Sequence, residues 1–288
     1  MPRAPDRIDL LSNNRRTAVQ DLLDAAVETD GVRPASDRAV SGLHSAAVEH
    51  LLSSAANGEL AGYAQLDPDG SAELAVHPDQ RRRGHGRALL GALLGLNPAV
   101  RVWAHGDLPA AQALAKASGL TTVRALWQMS RPLQDTVPAL PLPEGIAIRT
   151  FDPGRDGRPW VAVNAAAFAD HPEQGAVTLD DLRALMTEPW FDPAGFFVAE
   201  RDGRMVGFHW TKIDKPGRGE IYVLGIHPTE QGTGLGRALT VVGLNHLRDT
   251  GAREATLYVE ESNTAARGLY TSLGFVRSAI DVQYATAA

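Results

Sequence analysis

Apolar residues recur along this chain with two different periods, and the two periods predict helices and strands in alternation. In the segment 14–28, Val19, Leu22, Leu23 and Ala26 lie on one face of a 3.6-residue period, which predicts an amphipathic helix. Further helices are predicted after Ser36, from His85, from Pro109, over 158–168, over 179–186, from about Leu235 and from Asn263.

Shorter apolar runs, rich in β-branched and aromatic residues, predict strands. The clearest of them covers 220–226 and stops at a His-Pro pair. Asn-Gly at 57–58 and Asp-Gly at 202–203 separate neighbouring runs and predict tight turns. Strands mixed with helices in this way predict a mixed α/β fold. The predicted strands are 50–55, 59–66, 72–77, 100–104, 123–129, 146–151, 196–200, 204–213, 220–226, 254–260 and 276–284.

A glycine-rich segment occurs twice, and its two copies start 150 residues apart, at 81 and at 231. The sequence R-R-R-G-H-G-R at 81–87 and the sequence Q-G-T-G-L-G-R at 231–237 each follow a predicted strand and a His-Pro pair. Each also leads directly into a predicted helix. Shorter matches flank both segments in the same order, so the sequence predicts two copies of one fold.

Length and composition set the limits of the two predicted domains. At 288 residues the chain is long for one hydrophobic core and sufficient for two. Residues 132–144 contain four prolines, which predicts an extended linker. The predicted domains are therefore 1–131 and 145–288, with the linker between them.

Both glycine-rich loops have the composition of a phosphate-binding turn. Glycine lets the backbone come close to a ligand because no Cβ stands in the way. The first N–H groups of the following helix, together with its dipole, attract an anion such as pyrophosphate. The spacing differs from the G-x-G-x-x-G of dinucleotide-binding folds, and the Lys-Ser/Thr pair of a P-loop does not follow.

Charge and composition exclude several classes of function. The net charge of −6 argues against a nucleic-acid-binding surface. The absence of cysteine excludes disulfides, thiolate metal sites and a cysteine nucleophile, and the nine histidines show no metal-binding spacing. The longest apolar run, 88–96, is too short to cross a bilayer, and no secretory signal is evident. We therefore expect a cytoplasmic monomer that binds no metal, nucleic acid or membrane and acts on a small molecule.

The motif Q/R-x-x-G-x-G/A at 231–236 resembles the acetyl-CoA pyrophosphate loop of the GNAT-family N-acetyltransferases. Residues 263–275, N-T-A-A-R-G-L-Y-T-S-L-G-F, resemble the second signature of that family. The resemblance implies two tandem GNAT-type domains, each with a mixed, mostly antiparallel sheet flanked by helices, and acetyl-CoA as co-substrate. The residues implied to bind it are Leu224, Gly225, Ile226, Gln231, Gly232, Thr233, Gly234, Leu235, Gly236, Arg237, Asn263 and Arg267, and in the first copy Leu74, Ala75, Val76, Arg81, Gly84, Gly86 and Arg87.

Acetyl transfer from a thioester to an amine needs an acceptor for the amine proton and a donor to the leaving thiolate. Glu220 is the candidate base because it lies on the strand that leads into the second loop, on the same face as Tyr222. Gly225 is the expected bulge of that strand. Tyr270 is the candidate acid: a phenol with a pKa of about 10 stays protonated, and the matching tyrosine of the family faces the CoA sulfur.

The first copy lacks both candidate groups. Alignment on the shared motifs places Gly70 opposite Glu220 and Ala115 opposite Tyr270. The first domain is therefore expected to keep the phosphate loop without performing the transfer.

Several segments of the second copy are similar to those of a narrower family, the mycothiol synthases. That resemblance implies acetylation of the cysteinyl amine of a cysteine–glucosamine–inositol conjugate. It also implies acceptor contacts from Asp37, Glu173, Lys212, Glu220 and Tyr258, although residue 37 is an aspartate where glutamate can occur. The segments are 164–175, 209–212, 220–225 and 257–260.

Two alternatives stay open from the sequence alone. One is a tandem N-acetyltransferase for another amine, such as an amino sugar, a polyamine or a peptide N-terminus. The other is a non-catalytic acetyl-CoA sensor, which would have no need of Glu220 and Tyr270 together with polar acceptor groups. A thiol-release assay across a panel of amines discriminates these readings.

Overall fold

The computed structural model describes residues 2–134, 136–171 and 174–287. The chain divides into two compact units. Unit 1 comprises Met1–Trp127, Glu260–Ser262 and Ala279–Ala288, and unit 2 comprises Gln128–Val259 and Asn263–Ser278. The domain limits expected from the sequence, 1–131 and 145–288, stay a prediction; the compact units differ from them in that the C-terminal segment groups with unit 1.

The helices of the described residues are α1 (Asn13–Asp30), α2 (Asp37–Gly42), α3 (His85–Leu96), α4 (Pro109–Ala117), α5 (Gly157–Ala167), α6 (Leu179–Leu185), α7 (Leu235–Asp249) and α8 (Thr264–Ser272). The strands are β1 (Asp6–Ile8), β2 (Glu49–Ser54), β3 (Leu60–Leu66), β4 (Ser71–Val76), β5 (Arg101–His105), β6 (Leu120–Pro132), β7 (Ile146–Thr150), β8 (Phe196–Arg201), β9 (Arg204–Lys215), β10 (Arg218–Ile226), β11 (Glu254–Glu260) and β12 (Val276–Thr286).

The sheet of each unit is mostly antiparallel with one parallel pair. In unit 1 the strand order is β1-β2-β3-β4-β5-β12, and only β4 and β5 run parallel. In unit 2 the order is β11-β10-β9-β8-β7, and β10 and β11 run parallel, while β6 has residues in both units. Each parallel pair is joined by a helix that follows a glycine-rich loop, α3 in unit 1 and α7 in unit 2. The predicted mixed α/β architecture is confirmed.

The last strand of the chain completes the sheet of unit 1. Residues 281–284 of β12 pair antiparallel with residues 102–105 of β5. Asp281 Oδ1 accepts a hydrogen bond from the Gly106 N–H at 2.9 Å, and the Tyr284 hydroxyl donates to Asp107 Oδ1 at 2.6 Å. A fragment ending at residue 131 would lack this strand and leave β5 as an open sheet edge.

Local sequence accounts for several helix starts. Ser36 Oγ accepts a hydrogen bond from the Ala39 N–H at 3.1 Å and so caps α2. Asn263 Oδ1 accepts from the Ala266 N–H at 3.0 Å and caps α8. Thr178 begins α6 with a reciprocal capping box.

The predicted helices and strands are all present, with ends shifted by a few residues. The short strand β1 was not predicted, because three residues carry too little periodicity to be recognised. The predicted strand 123–129 is longer than expected, since β6 spans Leu120–Pro132.

Part of the proline-rich segment is hydrogen-bonded to other residues of unit 2. Asn245 Nδ2 donates to the Val137 carbonyl at 2.8 Å, and the Val137 N–H donates to Asn245 Oδ1 at 3.0 Å. The Leu133 N–H donates to the Arg253 carbonyl at 2.7 Å. These bonds hold the segment against α7 and the residues that follow it.

Candidate active site

The two glycine-rich loops have the same backbone conformation. Gly84 and Gly234 are the N-cap residues of α3 and α7, with φ angles of 96° and 92°. Glycine adopts this left-handed region readily, whereas a residue with a Cβ is strained there. Neither helix has a side chain that caps its first N–H groups. Because these groups have no partner within the helix, they are suited to bind an anion.

The first residue of each loop holds the loop to the preceding strand. Arg81 Nε donates to the Val76 carbonyl at 3.3 Å, and Gln231 Nε2 donates to the Ile226 carbonyl at 3.3 Å. The Arg81 guanidinium also makes two hydrogen bonds of 2.7 Å to Asp30. Arginine and glutamine thus reach equivalent carbonyls in the two copies. This shared contact is a physical reason why either residue can occupy this position of the motif.

The protein leaves the space in front of the second loop open. A Cβ built on Gly232 or Gly234 would meet no atom of the described residues within 4 Å. A Cβ on Gly236 would lie 3.5 Å from Ile226 Cγ1, which is an ordinary van der Waals contact. Packing against the rest of the described chain therefore does not require the glycines of this loop. Positive φ angles of 79° and 92° favour glycine at 232 and 234, and the open space in front of the loop leaves room for a ligand.

Strands β10 and β11 separate near Glu220. Their parallel register runs from Arg218 opposite Glu254 to Glu220 opposite Thr256, whereas β10 stays paired with β9 as far as Ile226. The separation leaves one edge of the backbone at 224–226 available for hydrogen bonds to a ligand. Glu220 lies where this gap begins.

Strand β10 contains one extra residue. Its register with β9 shifts between Ile221 and Val223, so Tyr222 is a bulge residue. The prediction of a bulge at Gly225 is wrong, because Gly225 pairs regularly with Phe208. Glycine is required at this position for packing, since a Cβ there would lie 2.5 Å from the Phe208 ring.

The extra residue changes the alignment of the two copies. Strand β4 pairs with β3 without a register shift. The residue that corresponds to Glu220 is therefore Ser71, and the predicted equivalence with Gly70 is wrong by one position. The parallel pairs agree with this correction. Ser71 lies opposite Arg101 of β5, and Glu220 lies opposite Thr256, the corresponding residue of β11.

Aromatic rings surround the side chain across from Glu220. Lys212 lies opposite Glu220 in the β9–β10 register. Its Nζ is 5.0 Å from the centre of the Trp190 ring and 5.8 Å from that of Tyr222, and the two rings are 4.9 Å apart. Burial, followed by the charges of Glu220 and Glu188, raises the pKa of Tyr222. We call Glu220, Lys212, Trp190 and Tyr222 the polar–aromatic face.

Sequence reasoning missed the contribution of two of these residues. The sequence analysis placed Tyr222 on the same face as Glu220 but gave it no role. The feature that sets Tyr222 apart is the extra residue of β10, which is visible only once β10 is paired with β9. Trp190 follows α6 and precedes β8, and it carries no motif. Its position becomes evident only from its contacts with Lys212 and Tyr222.

Tyr270 lies in the last turn of α8 and is 6% exposed. Its ring packs against that of Phe275, with the centroids 5.7 Å apart. Burial raises its pKa. The phenol is therefore neutral at physiological pH and retains a proton that it can donate.

The other residues predicted to contact the acceptor lie in different places. Tyr258 on β11 is half-exposed, and Gln128 Nε2 donates to its hydroxyl at 3.4 Å. Asp37 begins α2 in unit 1 and forms an exposed ion pair with Arg33 at 2.8 Å. Glu173 lies outside the described residues.

Unit 1 contains a cavity of about 1150 Å³ in front of its glycine-rich loop. The cavity reaches from the loop to the diverging strands β4 and β5 and to α4. The structure thus brings together all the positions of the first copy that the sequence assigned to the co-substrate, namely Leu74, Ala75, Val76, Arg81, Gly84, Gly86 and Arg87.

His105 on the wall of this cavity lies between two carboxylates. Its Nε2 is 3.4 Å from Glu73 Oε1, and its Nδ1 is 3.3 Å from Asp281 Oδ2. Burial alone would lower the pKa of His105, but Asp281 and Glu73 outweigh it and raise the pKa to about 9. The imidazole is therefore charged at neutral pH and poorly suited to accept a proton.

Within the described ranges, no group of three or more His, Cys, Asp and Glu side chains has the arrangement of a metal site. The same part of the chain includes no helix with the length and apolar character needed to span a membrane.

The acetyltransferase (GNAT) family model matches residues 18–119 and 160–275, one region in each half of the chain. The chain belongs to the GNAT family. Its predicted dependence on acetyl-CoA and its activity as an N-acetyltransferase are thereby confirmed. The tandem arrangement follows from the two matched regions.

Individual relatives support the same assignment. A mycothiol acetyltransferase of Thermomonospora curvata is 56% identical over 283 residues, covering 96% of this chain and 95% of the relative. A mycothiol acetyltransferase of Thermobispora bispora is 54% identical over 280 residues, covering 93% and 94%. A GCN5-related N-acetyltransferase of Sphaerobacter thermophilus has a TM-score of 0.76 at 27% identity, covering 99% of this chain and 96% of that structure. These relatives confirm the predicted resemblance of the chain to the mycothiol synthases.

Proposed function

We propose that unit 2 transfers the acetyl group of acetyl-CoA to the cysteinyl amine of a cysteine–glucosamine–inositol conjugate, forming mycothiol. The observation that carries this proposal is the position of Glu220, opposite Lys212 and at the point where β10 and β11 separate. The names of the relatives, mycothiol acetyltransferase, support the choice of acceptor.

In this proposal the backbone supplies most of the contacts to acetyl-CoA. The N–H groups at the start of α7 bind the pyrophosphate, and the open geometry at Gly232, Gly234 and Gly236 supports this. The separated edge of β10 at 224–226 offers N–H and carbonyl groups to the pantetheine arm. Asn263 and Arg267 lie at the start of α8, where they complete the site.

Two side chains carry the proton transfers. Glu220 receives the proton of the cysteinyl ammonium, and the freed amine attacks the thioester carbonyl carbon. The C–N bond forms, the C–S bond breaks, and Tyr270 donates its proton to the departing sulfur. The second proton of the nitrogen then passes to the Tyr270 phenolate, which restores the phenol and leaves the neutral amide. The buried, neutral state of Tyr270 supports its role as the acid.

The polar–aromatic face is the proposed acceptor surface. Lys212 and Tyr258 offer a charge and a hydroxyl to the sugar and inositol, and Glu173 and Asp37 remain proposed acceptor contacts on the strength of the family resemblance. Trp190 and Tyr222 add flat apolar rings beside Lys212. Tyr222 belongs to unit 2 alone, because unit 1 has no bulge at the corresponding place.

The acceptor is tested by comparing kcat/KM across amines. The cysteine–glucosamine–inositol conjugate should be acetylated far more efficiently than free cysteine, glucosamine or spermidine. Binding energy from the sugar and inositol, which are remote from the reacting amine, is expressed in the transition state. Equal kcat/KM for the conjugate and for free cysteine would refute this acceptor and favour a broad amine acetyltransferase.

For unit 1 we propose binding of a CoA thioester without transfer. All seven positions assigned to the co-substrate line its cavity, which supports binding. Ser71 and Ala115 stand where unit 2 has Glu220 and Tyr270, which argues against transfer. The cytoplasmic location and the monomeric state stay predictions.

A further inference from the structure

The cavity of unit 1 extends towards two positions at which unit 2 has aromatic rings. Helices α4 and α8 are nine residues long, and the seventh residue is Ala115 in one and Tyr270 in the other. The third residue after each helix is Leu120 in unit 1 and Phe275 in unit 2. The two copies therefore differ by two aromatic rings at equivalent places.

These substitutions leave space in unit 1. In unit 2 the rings of Tyr270 and Phe275 pack against each other at 5.7 Å. In unit 1, Ala115 and Leu120 are 4% and 7% exposed and belong to the core, yet both line the cavity of about 1150 Å³. An alanine and a leucine fill less volume than two rings, and both side chains line the cavity together with the Tyr284 ring of β12.

This part of the cavity lining is apolar. Besides Ala115 and Leu120 it includes Leu90 and Val102, which are 2% and 7% exposed. An empty apolar space of this kind favours a hydrocarbon ligand, because burial of apolar surface is the main source of affinity there.

We propose that unit 1 binds a CoA thioester whose acyl chain is longer than acetyl, with the chain lying among Leu90, Val102, Ala115 and Leu120. This rests on the proposal that unit 1 binds CoA thioesters at all. In unit 2 the equivalent space is occupied by Tyr270 and Phe275, so the selectivity for acetyl belongs to that unit.

The chain is expected to be uncharged. His105 on the cavity wall is flanked by the carboxylates of Glu73 and Asp281, so the three side chains together carry a net negative charge when the imidazole is protonated. An acyl group ending in a carboxylate would be repelled by this cluster. A saturated chain of four to eight carbons, as in butyryl-CoA or hexanoyl-CoA, meets no such repulsion.

Calorimetry on the full-length protein with acetyl-, butyryl-, hexanoyl- and succinyl-CoA tests the proposal. Each buried methylene should strengthen binding by about fourfold. Hexanoyl-CoA has four more methylenes than acetyl-CoA, so it should bind unit 1 roughly 250-fold more tightly. Succinyl-CoA should bind more weakly than butyryl-CoA. In Ala115→Tyr the advantage of hexanoyl-CoA should fall by at least about tenfold, because the ring refills the space.

The matched control is Lys116→Tyr, which adds the same ring on the exposed side of α4 and should behave as the wild type. If Ala115→Tyr fails to fold, Leu120→Phe refills the space with the ring that unit 2 carries at that position. Equal affinities for acetyl- and hexanoyl-CoA, or a refilled variant that retains the hexanoyl preference, would overturn the proposal.

The proposals fail in distinguishable ways. Binding of acetyl-CoA by unit 1 without chain-length preference overturns only the present inference. If unit 1 binds no CoA thioester at all, both the present inference and the proposed binding role of unit 1 are overturned. Transfer by unit 2 is measured separately with the acceptor panel, and neither result affects it.

Discussion

The two units place the same glycine-rich loop between a strand and a helix but surround it with different residues. Gly84 and Gly234 have φ angles within a few degrees of each other, and Arg81 and Gln231 reach equivalent carbonyls. The two units differ in the side chains near the separating strands. Unit 2 has Glu220, and its counterpart in unit 1 is Ser71.

The difference separates the residues proposed to bind the co-substrate from those proposed to transfer protons. Phosphate binding depends on backbone N–H groups and on glycine, so it tolerates replacement of most side chains. The proposed proton transfer depends on two side chains, and a single substitution at either should lower its rate by about 10²–10⁴-fold. A duplicated domain can therefore lose transfer while it retains a binding site.

The largest predicted effect comes from removing the proton-transfer groups of unit 2. Glu220→Gln and Tyr270→Phe should each lower kcat by about 10²–10⁴-fold, with a smaller change in acetyl-CoA affinity. The loss in Tyr270→Phe should be nearly constant between pH 6 and 9, because burial keeps the phenol protonated throughout. The measurement is a steady-state pH profile.

Ser71→Ala is the matched control in unit 1, since Ser71 occupies the position of Glu220. It should leave kcat unchanged. Wild-type turnover by both unit 2 variants at every pH would mean that water carries the protons.

The next effect concerns the loop of unit 2. Gly234→Val should weaken acetyl-CoA binding by about 100-fold, because valine is strained at a φ of 92° and its side chain occupies the space of the ligand. Gly236→Ala separates these causes, because its Cβ meets only an ordinary contact within the protein. Calorimetry should show a smaller loss of acetyl-CoA affinity for Gly236→Ala than for Gly234→Val, and the melting temperature of Gly236→Ala should be unaltered. Full affinity in both variants would remove the loop from the binding site.

A smaller effect is expected in the acid stability of unit 2. His209 is fully buried, its Nδ1–H donates to the Leu239 carbonyl at 2.8 Å, and burial lowers its pKa to about 4. Its unfolded pKa is higher, so the stabilisation is complete above about pH 6.5 and is lost as the pH falls towards 4. The free energy of unfolding should fall by roughly 2–3 kcal/mol over this range. Urea titrations should show less pH dependence in His209→Asn; an identical slope would contradict the assignment.

The smallest effect has the opposite sign and belongs to unit 1. The pKa of His105 is raised to about 9, so its contribution is complete below about pH 6.5 and is lost as the pH rises towards 9. Because the cluster is partly solvated, the loss should be about 1–2 kcal/mol. His105→Gln should abolish this alkaline slope without altering the acid slope of His209. If His105→Gln changed both the alkaline and the acid slope of the unfolding free energy, the assignment of one slope to each histidine would be wrong.

The sequence predicted those features that depend on local patterns. The glycine-rich loops, their helices and the cap at Asn263 follow from spacing within a few residues. Ala115 opposite Tyr270 was also correct, because both helices have the same length.

Features that depend on strand pairing were not predicted. The bulge at Tyr222 is defined only against β9, and for this reason Gly225 was chosen wrongly and Ser71 was missed by one position. The periodicity of β12 likewise does not show which strand it pairs with, so the position of β12 beside β5 in unit 1 was not predicted. Trp190 lacks a motif and is identified by contact alone.

The place of β12 also determines how the asymmetry must be tested. Separate fragments divided near residue 131 would deprive unit 1 of its last strand, so inactivity of the first fragment would have two explanations. The full-length chain avoids this ambiguity.

The most direct test is acetyl transfer by the full-length protein carrying Glu220→Gln and Tyr270→Phe together, at saturating acetyl-CoA and acceptor. Unit 1 is untouched in this variant, so any second transfer centre would remain active. The account predicts a rate below about 1% of wild type, with acetyl-CoA still bound and the melting temperature retained. A rate above about a tenth of wild type would contradict it, because transfer would then proceed without the two side chains assigned to unit 2.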